Sequence, residues 1–248
     1  MLNKVKIAVD AMGGKGSPKK IIEGIEISLK SNQENFFYLY GKKDLLEQEI
    51  SKRKVLQKYC EIINTEDVVL DDESALTGAK KSKNSSMWKA VESLREKNSD
   101  ISLSAGNTGA LLVISRLLLK TIAGISKPAL AGLWPNQNSM NVVLDLGANI
   151  ECDKNNLIQF ALMGQAFAKI VIGIKNPKVS LLNIGEEEIK GLSYIQEASE
   201  ILKNLSKIIN YCGYVEGDRI TDGLVDVIVT DGFTGNIALK TAEGTASF

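Results

Sequence analysis

The sequence predicts an α/β fold, a largely parallel sheet with helices on both faces. Two observations carry that expectation. Short runs rich in β-branched and aromatic residues alternate with longer stretches whose apolar residues recur at helical spacing. Glycine-rich loops follow several of the short runs at their carboxyl ends, where a strand hands over to a helix.

Taken in order, "VKIAV" at 5–9 reads as a strand. "SPKKIIEGIEISLK" reads as a helix, with Ser17 as N-cap, Pro18 in the first helical position, and Ile21, Ile22, Ile25 and Leu29 on one face. "FFYLY" precedes a second helix around 45–50, and "DISLS" one from about 108 to 120. "NVVLDL" leads to a helix from about 155 to 172, and "KVSLLNI" to one near 193–204. "VDVIVT" leads to a final helix starting near Gly235. No fixed-period repeat or proline-rich linker marks a boundary, so one domain is expected over 1–248. "IALKTAEGTASF" still reads as helix where the chain stops, and a C-terminally shortened protein is expected.

The bulk numbers are those of a soluble globular protein, 44% hydrophobic and 24% charged over 248 residues. Basic and acidic residues balance at 30 each, which points to neither nucleic acid nor an anionic membrane as partner. Lysine clusters at 51–58 and 80–83 read as solvated faces, the alternative being steering of an acidic partner. Met1 opens directly onto a strand, and the most apolar run, "ALLVISRLLLKTIAG", is broken by Arg116 and Lys120. A cytosolic protein without a leader or a spanning helix is the expectation. Cys60, Cys152 and Cys212 are far apart with no CxxC pair, which fits reduced structural thiols.

Histidine is absent from the sequence. A Ser-His-Asp triad, a Cys-His pair, a histidine-ligated metal and a histidine base are therefore excluded within the chain. GxGxxG and GxxxxGK[ST] are also missing, which weakens dinucleotide binding and nucleotide hydrolysis. No cofactor or metal is expected.

Five glycine-rich loops are "DAMGGKGSP" (10–18), "SAGNTGA" (104–110), "DLGANIE" (145–151), "NIGEEEIKG" (183–191) and "TDGFTGN" (230–236). In a parallel sheet these ends share the edge where ligands bind. Glycine lets backbone approach a ligand, N–H groups at a helix start form an anion site, and serine, threonine and asparagine add neutral donors. Each loop alone could be an ordinary turn that needs glycine and a cap. Together they read as a cradle for phosphate or a developing oxyanion.

The segments "IAVDAMGG", "SAGNTGALL", "LDLGAN", "QFALMGQAFA", "LLNIGEEEIKG", "YVEGDRI" and "VTDGFTGNIALKTAEG" run in this order from residue 7 to residue 244. They resemble the successive signature segments of the PlsX phosphate acyltransferases. The resemblance implies a bacterial enzyme of phospholipid synthesis. Such an enzyme moves a long fatty acyl group from acyl carrier protein to inorganic phosphate, giving acyl phosphate. It also implies a homodimer with peripheral membrane association and a three-layer α/β/α fold related to phosphotransacetylases and isopropylmalate dehydrogenases. Two departures stand out: Lys15 replaces the family's usual acid after "DAMGG", and the family continues well past the "KTAEG" helix.

With that resemblance, Lys190 is the candidate catalytic cation, able to hold phosphate and offset charge on the tetrahedral intermediate; its alternative is an exposed lysine paired with Glu186 or Glu187. Asn236 is a candidate amide donor to the oxyanion or phosphate, a role compatible with capping. Asn107 and Thr108, with the Gly106 and Gly109 backbone, are candidates to cradle phosphate, and Asn149, Gly232, Thr234 and Gly235 extend the binding set. Asp145, Asp231 and Asp10 sit at strand ends, where they orient lysine or backbone groups rather than act as bases. Ser85 and Ser86 open a helix, where capping and ligand contact are both open. Cys152 reads as a structural thiol. Leu157, Phe160, Gly164, Phe167 and Val171 share a helix face that packs in the core or a dimer, or lines an acyl groove. Two rivals remain. A hydroxy-acid dehydrogenase of related fold should show clustered metal-binding aspartates and site arginines. A shortened, inactive module could keep the fold and bind acyl carrier protein or phosphate.

Overall fold

A computed structural model describes residues 4–70, 72, 73, 78 and 83–247. Residues 80–82 of the lysine cluster at 80–83 lie outside the described residues. The chain packs as two compact units, Met1–Thr121 and Ile122–Phe248, each built on its own sheet.

In the first unit the strands are β1 (Val5–Asp10), β2 (Asn35–Gly41), β3 (Cys60–Asn64) and β4 (Ile101–Ser104). They run parallel in the order β3-β2-β1-β4. Its helices are α1 (Lys19–Ser31), α2 (Lys43–Ser51), α3 (Ser86–Arg95) and α4 (Thr108–Leu119). Because side chains alternate along a strand, one sheet serves two cores. Ile7 and Val9 of β1 pack with Ile22, Ile25 and Leu46 of α1 and α2, while Ala8 turns to the other side against Ala90 of α3. Ile22, Ile25 and Leu29 are the buried stripe of α1, and Ile21 packs against its edge. The expected Ser17 cap is not found. Pro18 occupies the cap position of α1, and the Ser17 hydroxyl, one residue too early to reach the helix, donates instead to the Gly13 carbonyl.

The second unit contains β5 (Ala131–Pro135), β6 (Met140–Leu144), β7 (Lys178–Leu182), β8 (Asn210–Val215) and β9 (Val227–Val229). Their order is β5-β6-β9-β7-β8, parallel except for the antiparallel β5–β6 pair. Helices α5 (Lys154–Phe167), α6 (Ser193–Asn204) and α7 (Gly232–Ala246) complete it, α5 running on into a π-helical segment at Ala168–Ile172. Val142, Leu144, Val179, Leu181, Val227 and Val229 face Leu157 and Phe160 of α5 and Leu202 of α6. Val143 and Ile228 face the opposite way, towards Ile220 and Leu239 of α7. Both units are thus α/β/α layers, and the expected parallel sheet is realised as two. Leu157, Phe160 and Gly164 are interior residues of the α5 face, whereas Val171 is more than half exposed.

Candidate active site

In the first unit, two turns are tied by one carboxylate. Asp10 is buried at the end of β1 and accepts from the Gly13 N–H at 3.1 Å and the Ser104 hydroxyl at 2.7 Å. Ser104, at the end of β4, in turn accepts from the Gly106 N–H at 3.1 Å. Asp10 therefore organises backbone from both loops and joins two neighbouring strand ends. Asn107 caps α4, its side-chain oxygen accepting from the Ala110 N–H at 3.0 Å while its amide donates to the Glu73 carbonyl at 2.9 Å. Its side chain serves the local fold, and what this turn can offer an anion is the backbone of Thr108 and Gly109 at the helix start. Ser85 caps α3 by accepting from the Trp88 N–H, while Ser86 is buried.

In the second unit the loop after β6 is built around Asp145, which is completely buried. One carboxylate oxygen accepts from the N–H groups of Leu130, Gly147 and Ala148 at 3.0, 3.2 and 2.9 Å. The other accepts from the N–H and side-chain amide of Asn149 at 2.8 and 2.7 Å. The same Asn149 amide also donates to the Pro128 carbonyl at 2.7 Å, so both its hydrogens are committed. Such a carboxylate is an organiser of N–H dipoles rather than a base poised for a substrate proton.

The loop after β9 packs directly on that structure. Asp231 caps α7, accepting from the Thr234 N–H and hydroxyl, each at 2.8 Å. The Gly232 N–H donates to the Asn149 carbonyl at 2.8 Å. Gly235 abuts the Asp145 carbonyl so closely that a Cβ would overlap that oxygen, which restricts the position to glycine. Asn236, one residue on, is exposed beside Gly147, and its amide has no hydrogen-bond partner among the described residues.

Lys190 sits in the third loop, between β7 and α6, and is exposed. The surrounding carboxylates are mostly engaged elsewhere: Glu186 pairs with Arg219 at 2.6 Å and Glu188 pairs with Lys203. Among the described residues no ion pair holds the Lys190 ammonium, and the Lys190–Glu186 pairing is not formed. A cavity of about 1030 Å³ opens between this loop and α7. Its polar wall includes Asn183, Tyr194, Asp231 and Thr234 together with the acids Glu216 and Asp218, and residues such as Leu192 and Ile237 line its apolar side. Lys190 and Asn236 adjoin the lining residues Gly191 and Ile237 in sequence without lining the cavity themselves.

Tyr194, Asn183 and Ser104 carry much of this framework yet escape a reading of the sequence. Asn183 and Ser104 open two of the quoted loops, which is a signal of place but not of role. Tyr194 lies in a helix turn and gives no signal. Its hydroxyl donates to Asp231 at 3.1 Å, and burial together with the Asp231 charge raises its pKa, so it is a neutral donor. Cys152 lies nearby, its Sγ 3.6 Å from the Asn149 carbonyl. Burial pushes the thiol up to about 11, which keeps it protonated and inert.

A family profile described as "Fatty acid synthesis protein" matches residues 5–248. The phosphate acyltransferase of Pelagibacter ubique (strain HTCC1062) is 54% identical over 245 residues, covering 98% of this chain and 73% of that protein. The phosphate acyltransferase of Ehrlichia ruminantium (strain Gardel) is 46% identical, covering 99% of this chain and 73% of its own. Among solved structures, a EutD phosphotransacetylase from Staphylococcus aureus superimposes with a TM-score of 0.66 at 15% identity, over 98% of this chain and 83% of that one. A branched-chain phosphotransacylase from Enterococcus faecalis V583 gives 0.64 at 14%, over 96% and 84%. The two structures establish a shared fold, and the matches in sequence place this chain in the fatty acid synthesis protein family, among its phosphate acyltransferases.

Proposed function

We propose that the chain transfers a long-chain fatty acyl group from acyl carrier protein to inorganic phosphate. A phosphate oxygen attacks the thioester carbonyl and forms a C–O bond. The tetrahedral intermediate then collapses with cleavage of the C–S bond, and the carrier thiolate leaves and takes a proton from water. Phosphate is itself the nucleophile, so the chemistry asks for positioning and charge stabilisation rather than for a histidine. The observation that carries the reading is the Lys190 ammonium, unpaired among the described residues although acidic neighbours surround it. It holds the phosphate and offsets the charge of the intermediate. Asn236, with its uncommitted amide, donates to the oxyanion at the start of α7. In the first unit, taken by itself, the backbone at 106–109 is a candidate anion cradle at the start of α4. Residues 1–248 act as one catalytic domain, in a cytoplasmic homodimer that meets the membrane peripherally.

The test is phosphate-dependent release of free thiol from palmitoyl-carrier protein, with the acyl phosphate trapped by hydroxylamine. Wild type should turn over without metal or nicotinamide, and Lys190→Ala should lose at least about a hundredfold in kcat/KM. A folded Lys190→Ala protein with wild-type turnover would remove Lys190 from the mechanism.

A further inference from the structure

The loop that presents Lys190 is held by two side-chain amides, neither of which has a role in the scheme above. Asn183, at the end of β7, is 7% exposed. Its amide nitrogen donates to the carbonyls of Gly185 and Lys190, each at 3.1 Å, and so closes the loop across its base. Gln196, in the first turns of α6, approaches from the outer side and shares the two hydrogens of its amide among the carbonyls of Ile189, Lys190 and Gly191 at 2.9, 3.3 and 3.2 Å. The Lys190 carbonyl is therefore gripped from both sides.

The packing fixes the arrangement further. Gly191 has φ +88°, and a Cβ there would overlap the Asn183 side-chain oxygen. That oxygen is buried without a hydrogen-bond partner. The group is retained at that cost, and rotating the amide would turn the oxygen towards two carbonyls and lose both bonds. The same turn of α6 carries Tyr194, whose hydroxyl bonds Asp231 at the start of α7. The clamp thus links the lysine loop to the helix start that carries Asn236.

We infer that Asn183 and Gln196 are positioning residues that fix the Lys190 backbone, and through it the ammonium, for the acyl-transfer step. This rests on the role of Lys190 proposed above. A side chain with several rotatable bonds can place its charge only as well as its own main chain is placed, and a misplacement of about 1 Å can cost on the order of a hundredfold in rate.

The test uses Gln196→Leu, which keeps the bulk, removes the donor and leaves the buried Asn183 untouched. Two readouts are needed. Amide hydrogen exchange of the full chain should quicken in 185–191, while β7 and the rest of α6 keep wild-type protection. In phosphate titrations, kcat/KM should fall about tenfold or more when Lys190 is present and by less than about twofold in a Lys190→Ala background. Asn183→Ala, where it folds, should reproduce the pattern. Equal losses in both backgrounds, or a loss of activity with no change in loop exchange, would overturn the clamp. So would wild-type rate and exchange in Gln196→Leu. If Lys190→Ala alone keeps full activity, the catalytic assignment of Lys190 fails first and the clamp falls with it. If Lys190→Ala is impaired and Gln196→Leu is not, only the clamp fails.

Discussion

Replacing Asp145 by asparagine alters the second unit with almost no change in shape, and its cost follows from the hydrogen bonds. One carboxylate oxygen serves three backbone N–H groups and the other serves both the N–H and the side-chain amide of Asn149. In Asp145→Asn the new oxygen does best facing the three backbone donors. The new NH2 then confronts the two Asn149 donors, which are left without an acceptor. At about 1–3 kcal/mol for each orphaned buried donor, the loss is about 4 kcal/mol, before counting the missing negative charge. For a chain of this size that corresponds to a fall in Tm of about 12 °C. Thermal unfolding followed by circular dichroism, with urea titration as a second measure, reads it directly. A Tm within about 3 °C of wild type combined with lost turnover would refute the reasoning, because Asp145 would then act in the chemistry rather than in the loop.

Further outcomes follow from the same geometry. Gly235→Ala, which sets a Cβ against the Asp145 carbonyl, should cost about 3 kcal/mol or more by denaturant titration and reduce turnover with it. Cys152→Ala should keep wild-type kcat; a loss beyond about tenfold in a stable protein would revive a role for the thiol. Under native conditions at pH 8 a maleimide should label Cys212 first, since it is exposed, while Cys60, pushed up to about 12 by burial, and Cys152 react far more slowly. Stability should also decline in alkali. The unfolded thiols ionise from their ordinary value of 9.0, whereas the folded ones stay neutral to about 12 and 11. Their contribution is therefore complete below pH 9.0 and drains away as pH climbs through that window. A flat stability profile from pH 8 to pH 11 would contradict this.

Much of the architecture was legible because the chain alternates cleanly between two periodicities. The helix expected near 193–204 is α6, Ser193–Asn204, and the strand at "VKIAV" is β1. The elements absent from that reading are those whose burial signal is weak. β5 is an antiparallel strand containing glycine and proline, with alternate residues exposed. β8 contains Gly213 at φ +85° and pairs with β7 through a register shift, so its sequence looks like a turn. β3 is short and only partly buried. The final helix begins at Gly232 rather than near Gly235, because Asp231 rather than the later threonine or asparagine caps it. At the candidate site, glycine at strand ends located the loops, but composition could not separate side chains spent on the fold from those left over. Asn149 and Asn236 look alike in sequence, yet one has both amide hydrogens committed and the other exposes its amide. That difference depends on carbonyl positions set by distant segments such as Pro128.

The three buried aspartates, Asp10, Asp145 and Asp231, bear on how such a chain drifts over generations. Each closes a ring only a few residues wide with main-chain partners just downstream. The ring size is set by a single methylene. Glutamate, chemically the nearest neighbour of aspartate, would overreach the ring and push its charge into the layer it now stitches together. At these sites the acidic residues are not interchangeable, and a library in which every Asp→Glu exchange is scored should show all three among its most depleted positions. An exposed aspartate such as Asp44 should drift freely in the same library.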